Sequence, residues 1–320
     1  MRSMFRGENV EMNCAYCGKV AKKTKEHIIS CSVLDLFPEC FATIDNNRGI
    51  VHLSDPVIND VCARCNNTRI SYIDSYAQKF ISDYFVQKYG KDDSLDIIYN
   101  YDLVQKMLLK YAFNTLRSIK HDVSFFTPQV KEFLMTENIN EPLRNVTVLA
   151  GLAVNTSPAP DYMFGNIKIR SCKNPIFLSN SIIEHIDYET GKIQLRNENS
   201  HQEFAKIGFS FLFRFNSGQF LLICWDDDIS DDDLIANNTV LQFQYPYTVL
   251  DNQGYAKLSR CTSEATYHSD MLIDVIWGQG IFDEITLMRG TYSDESQQYL
   301  KETEANWQLD EENLAKRFPR

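Results

Sequence analysis

The sequence predicts an α+β protein: a zinc-stapled N-terminal module, a helical connector and a β-rich C-terminal domain. Three observations predict it. Two C-x-x-C pairs fall within the first 65 residues, an apolar helical period follows them, and β-branched and aromatic runs separated by turn residues begin after Pro142. A chain of 320 residues with 44% apolar and 23% charged residues has the length for two domains and an ordinary buried core.

The module is expected over residues 1–90. Cys14/Cys17 and Cys62/Cys65 each supply two thiolates from one tight knuckle, and zinc needs four such ligands at tetrahedral corners. A single C-x-x-C also suits redox chemistry, but two of them 44 residues apart make a closed four-cysteine site for structural Zn²⁺. Neither pair opens a thioredoxin-like βαβ unit. Cys31, Cys40, Cys172, Cys224 and Cys261 stand alone, unlike the even studding of a secreted disulfide scaffold.

The connector, 91–142, follows a first helix in which Ile70, Ile73, Ala77, Phe80, Ile81 and Tyr84 recur at three- and four-residue steps, with Gly90 as its stop. A second helix fits 101–120. A third fits 127–136, with Thr127 as cap and Pro128 in the first turn. The β-rich acidic domain spans 143–291, through NVTVLAGLAV, NIKIRS, KIQLRN, KIGFSFLFRF, QFLLICW and VLQFQYPYTVL. FSFLFRFNSGQFLLICW reads as a hairpin whose aromatics fill a core, not a base-stacking platform. Residues 292–320 read as a charged helix, or as two short ones, and WDDDISDDDL (225–234) as a solvated acidic loop lacking the Gly and terminal Glu of a calcium loop.

Charge separates the regions. The net charge is −11, but residues 1–80 carry +1 and residues 81–320 carry −12. A polyanion is therefore drawn to the N-terminal part, where Lys19, Lys22, Lys23 and Lys25 cluster, and the acidic remainder suits a protein partner. No uninterrupted apolar run reaches a membrane-spanning length, and MRSMFRGENVEM lacks a signal peptide's apolar segment, so no membrane association and a cytoplasmic location are expected.

Between the knuckles, Glu26 and His27 are adjacent on a stretch that reads as a strand. Strand neighbours point to opposite faces, so a shared role requires the strand to end or bulge there. A carboxylate reaching a hard divalent ion beside an imidazole facing water is a workable hydrolytic pair. Asn66 directly follows Cys65, so the knuckle aims its carbonyl oxygen, which can ligate Mg²⁺.

As an ordered set, C-A-Y-C-G (14–18), E-H-I-I (26–29) and N-D-V-C-A-R-C-N (59–66) resemble the HNH endonucleases, which have a ββα-metal fold. The resemblance covers roughly residues 12–80, about a quarter of the chain. It implies His27 as general base, Glu26 and Asn66 as ligands of one catalytic Mg²⁺ or Mn²⁺, and Asn59 as the asparagine holding the histidine loop, with Asn46 or Asn47 as alternatives. Arg69 falls where the family often carries a phosphate-binding residue; apart from the resemblance, the charge of Lys22, Lys23 and Lys25 marks them as expected phosphate contacts, with a solvated loop as the alternative. Glu26 replaces the commoner Asp or His, and Ser30 a common proline. The implied activity is metal-dependent hydrolysis of nucleic acid, with DNA the expected substrate, in bacterial or phage defence or a mobile element. The alternative is a catalytically silent zinc-stapled module that docks a protein. His52, His121, His185, His201 and His268 read as ordinary surface or core histidines.

Overall fold

The computed structural model describes residues 11–37, 43–45, 50–52, 55–90, 92–138, 141–153, 167–172, 177–179, 183–187, 192–195, 204, 206–244, 247–259, 261 and 266–268. The fold is α+β, and the chain divides into two compact units. The first comprises 1–82 and 99–144, the second 83–98 and 145–320. The helices from Tyr99 onward, expected as a connector, thus belong to the first unit. The expected helix at 292–320 lies outside the described residues. Among the described residues no helix is long and apolar enough to cross a membrane.

In the first unit, β1 (Glu11–Asn13), β2 (Val20–His27) and, after a short α1 (Cys31–Leu34) and the β3/β4 pair (Thr43–Asp45, Ile50–His52), β5 (Val57–Cys62) appear in turn. β1, β2 and β5 form one antiparallel sheet in that order. A π-helical turn at Cys65–Arg69 leads into α2 (Ser71–Tyr84), whose buried Ile73, Ala77, Phe80 and Ile81 are the periodic residues of the sequence. β6 (Leu95–Ile98), which belongs to the second unit, precedes α3 (Tyr101–Ser118) and α4 (Pro128–Met135). Asn100 caps α3 by accepting from the Leu103 N–H at 3.5 Å, and Thr127 caps α4 by accepting from Val130 at 3.4 Å.

The second unit is organised by a five-stranded antiparallel sheet in the order β14-β7-β13-β12-β8. Its strands are β7 (Val146–Leu152), β8 (Ile167–Cys172), β12 (Ile207–Phe215), β13 (Gly218–Trp225) and β14 (Thr248–Val249). Three two-stranded pairings accompany it: β6 with β15 (Tyr255–Leu258), β9 (Phe177–Ser179) with β16 (Thr266–His268), and β10 (Ile183–Asp187) with β11 (Lys192–Leu195). The expected hairpin is β12–β13. Its two-residue turn places Asn216 at φ +50°, and a Cβ on Gly218 would lie 2.6 Å from the Phe85 ring.

Two expectations here need correction. VLQFQYPYTVL is not one strand: its first five residues end α5 (Asp231–Gln244). The acidic loop is shortened from the same side, because Asp231, Asp232 and Asp233 form the first turn of α5. Ser230 Oγ accepts from the Asp233 N–H at 3.0 Å and donates to its carboxylate at 2.7 Å. A cap followed by acidic residues at a helix N-terminus overrides the strand preference of the aromatic run behind it.

Candidate functional site

The four knuckle cysteines converge. Cys14 and Cys17 lie in the turn between β1 and β2, Cys62 ends β5, and Cys65 opens the π-helical turn. Their sulfurs all lie within 4.8 Å of one another, with Cys17 and Cys62 at 3.9 Å. Four sulfurs about 2.3 Å from one tetrahedral ion are about 3.8 Å apart, so the group can hold a metal such as zinc. Gly18 closes the first knuckle at φ +69°, donating its N–H to the Cys14 carbonyl at 2.8 Å. The Cys62 N–H donates to Cys14 Sγ at 3.4 Å. Burial works against the Cys14 thiolate, yet hydrogen bonds from the backbone of Cys17, Cys62 and Tyr16 bring its pKa down to about 7. Burial pushes the Cys62 and Cys65 thiols up, so it is a metal's charge that would hold these as thiolates.

The staple leads to Glu26 and His27. Thr24 pairs with Val61 while Glu26 pairs with Ile58, so one residue of β2 opposes two of β5. That is a β-bulge, and it falls just before the strand ends at His27. Glu26 turns inward and is only 4% exposed. Its carboxylate lies 2.9 Å from the ammonium of Lys110, which is 0% exposed and also lies 2.5 Å from Asp74. Burial pushes the Asp74 carboxyl above its ordinary range, and the Lys110 charge opposes that rise. His27 is half-exposed, with Nε2 3.8 Å from an Asp55 carboxylate oxygen.

Asn66 gives its amide N–H groups to Thr24 Oγ1 at 3.1 Å and to the Lys25 carbonyl at 2.8 Å. It therefore ties the π-helical turn to the residues just before Glu26, with its own carbonyl oxygen as the remaining ligand-capable atom. Asn59 is exposed within the bulge of β5. The segment after Glu26 is held instead by Asn114 of α3, which donates to the carbonyls of His27 at 3.0 Å and Ile28 at 3.4 Å. Tyr16 and Arg117 in turn donate to Asn114 Oδ1, at 3.0 and 2.5 Å. Asn46 and Asn47 lie outside the described residues. Lys22, Lys23 and Lys25 are exposed along β2, whereas Arg69 is joined to Glu132 of α4 at 2.9 Å.

Sequence reasoning missed Asp55, Asp74, Lys110 and Asn114. One signal was available: Asp102, Lys106, Lys110 and Asn114 recur at four-residue steps on an otherwise apolar helix. Such a stripe ordinarily marks a solvated face. Here all four residues are buried. Comparison with family models, with curated proteins and with solved structures found no match to the chain in any of the three.

Proposed function

We propose that the first unit hydrolyses phosphodiester bonds in nucleic acid, with DNA the expected substrate, as its resemblance to HNH endonucleases implies. The observation that carries the reading is His27: a half-exposed imidazole at the end of a bulged strand, 3.8 Å from Asp55, on a strand whose partner β5 ends in a cysteine of the four-cysteine group. With Nε2 facing the Asp55 carboxylate, Nδ1 is the nitrogen free to take a proton from water. Asp55 then stabilises the imidazolium, modestly, because both groups are partly solvated. The exposed Lys22, Lys23 and Lys25 draw the phosphate backbone to β2, and zinc on the cysteines fixes Asn66 against that strand.

A Mg²⁺ or Mn²⁺ ion, when bound, would offset charge on the scissile phosphate and polarise the leaving oxygen. Asn66, whose amide nitrogen is taken by Thr24 and Lys25, would offer it a carbonyl oxygen. Glu26 fits such an ion only by exchanging its Lys110 partner. That same pairing favours the second reading, a catalytically silent zinc-stapled module whose acidic remainder docks a protein, since a carboxylate locked to a buried ammonium does structural work. Hydrolysis of nucleic acid by the full chain across a Mg²⁺ and Mn²⁺ titration separates the two. His27→Ala should lower the rate about 10²- to 10⁴-fold with an unchanged melting temperature. Cleavage by His27→Ala at the wild-type rate would refute the assignment of the base, and an inert wild-type chain would favour the binding module.

A further inference from the structure

We propose that His27, Cys31 and Asp55 form a second metal site, separate from the four-cysteine group, that takes a zinc-class divalent ion and leaves one coordination position open. An imidazole nitrogen, the Cys31 sulfur and an Asp55 carboxylate oxygen all lie within 4.8 Å of one another. Ligand atoms about 2.0 to 2.3 Å from one tetrahedral ion stand roughly 3.3 to 3.7 Å apart, so a contraction of about 1 Å by side-chain rotation completes the shell. The backbone already brings the three together. His27 pairs with Val57, and the Ile28 N–H donates to the Pro56 carbonyl at 3.0 Å, which sets Asp55 beside the end of β2. Ser30 then turns the chain so that Cys31 opens α1 four residues after His27.

Donor chemistry selects the ion. A thiolate and an imidazole favour zinc-class metals over magnesium, and one carboxylate completes a three-ligand set of the open type. Access is direct: Cys31 is exposed, and the side chains of His27 and Asp55 are 35% and 46% exposed. Of the knuckle cysteines, by contrast, Cys14, Cys62 and Cys65 are buried and Cys17 is half-buried. There is also a chemical consequence, which rests on the nuclease reading. An ion on Nε2 leaves the imidazole's proton on Nδ1, so the nitrogen that would accept a proton from water becomes a donor. Occupancy of this site and base catalysis by His27 exclude one another.

The test uses the full chain carrying zinc in its four-cysteine group, titrated with Co²⁺. One further equivalent should bind, with the near-ultraviolet charge-transfer absorption of a single thiolate–cobalt bond. Cys31→Ser, at an exposed position, should abolish that band, and Asp55→Asn should weaken binding. Cobalt that brings no thiolate band, or a band that survives Cys31→Ser, overturns the proposal. Binding is read without any assay of hydrolysis, so a chain that takes cobalt as expected confirms the site whatever it cuts, and only a chain that cuts nothing with Mg²⁺ while this site is empty counts against the nuclease reading.

Discussion

The two units bury different chemistry. In the first, α3 sends Asp102, Lys106, Lys110 and Asn114 into the interior, where they meet Glu26, Asp74 and backbone carbonyls. In the second, Phe211, Phe213 and Phe215 follow one another along one face of β12 with successive ring centroids 5.7 and 6.4 Å apart, and Leu212, Leu221 and Trp225 fill the other core. Removing aromatic surface from water stabilises a fold directly. Buried ion pairs do so poorly, because desolvation offsets their attraction, but they fix geometry. The difference teaches where positioning is concentrated: the polar interior aims Glu26 and the His27 backbone, and the four-cysteine group can hold a metal that would stabilise what that interior does not.

The sharpest break in the comparison comes from removing the staple. Structural zinc contributes on the order of 10 kcal/mol to the folding of small zinc modules. Cys62→Ser, or chelation of the wild type, should therefore cost β2 and β5 their protection from hydrogen exchange. β12 and β13, which hold no knuckle cysteine, should keep theirs. Simultaneous loss of protection in both units would show that the division into a stapled and a self-sufficient part is wrong.

A matched pair of substitutions sharpens it further. Lys110→Met leaves Glu26 and Asp74 without their shared cation and should cost about 3–5 kcal/mol. Phe213→Ala opens a cavity beneath a fully buried ring and should cost a similar amount, about 3–5 kcal/mol. Their pH dependence should separate them. Because burial raises the Asp74 carboxyl above 3.8, its stabilising contribution is fully present below that value and is lost as pH rises through the raised one. Lys110→Met removes the charge that opposes this rise, so the variant should recover stability as the pH is lowered towards 4. The Phe213→Ala deficit should stay level over the same range. Denaturant unfolding of both variants at several pH values is the measurement, and parallel pH profiles would contradict the contrast.

How much of this was legible follows the same division. The apolar helices and the hairpin were readable because one periodicity dominates each: α2, α3 and α4 lie within the expected spans, and the turn falls at Asn216-Ser217. The cysteine group was readable because its ligands are local pairs. The Glu26–Lys110–Asp74 network was not. Its members are far apart in sequence, and a four-residue polar step on α3 looks the same whether the helix face meets water or a buried carboxylate. Asp55 was invisible for a related reason. The pairing of His27 with Val57 and the bond from the Ile28 N–H to the Pro56 carbonyl bring it near the imidazole.

The smallest effect tests a place where the second unit relies on polar chemistry that sequence reading took for a loop. Ser230 accepts the Asp233 N–H at 3.0 Å, satisfying a donor that α5 would otherwise leave open. Ser230→Ala should cost about 1 kcal/mol in the second unit. The bond from the Asp233 N–H joins neutral groups and its share of the loss should hardly change with salt, whereas the share from the bond that Ser230 donates to the Asp233 carboxylate should shrink as salt rises. The attraction of Asp231, Asp232 and Asp233 for the positive end of the helix is screened, and charge-removing substitutions there should cost less as salt rises. Denaturant midpoints at low and high ionic strength read both effects. A Ser230→Ala variant as stable as the wild type would mean that the acidic turn starts α5 by charge alone.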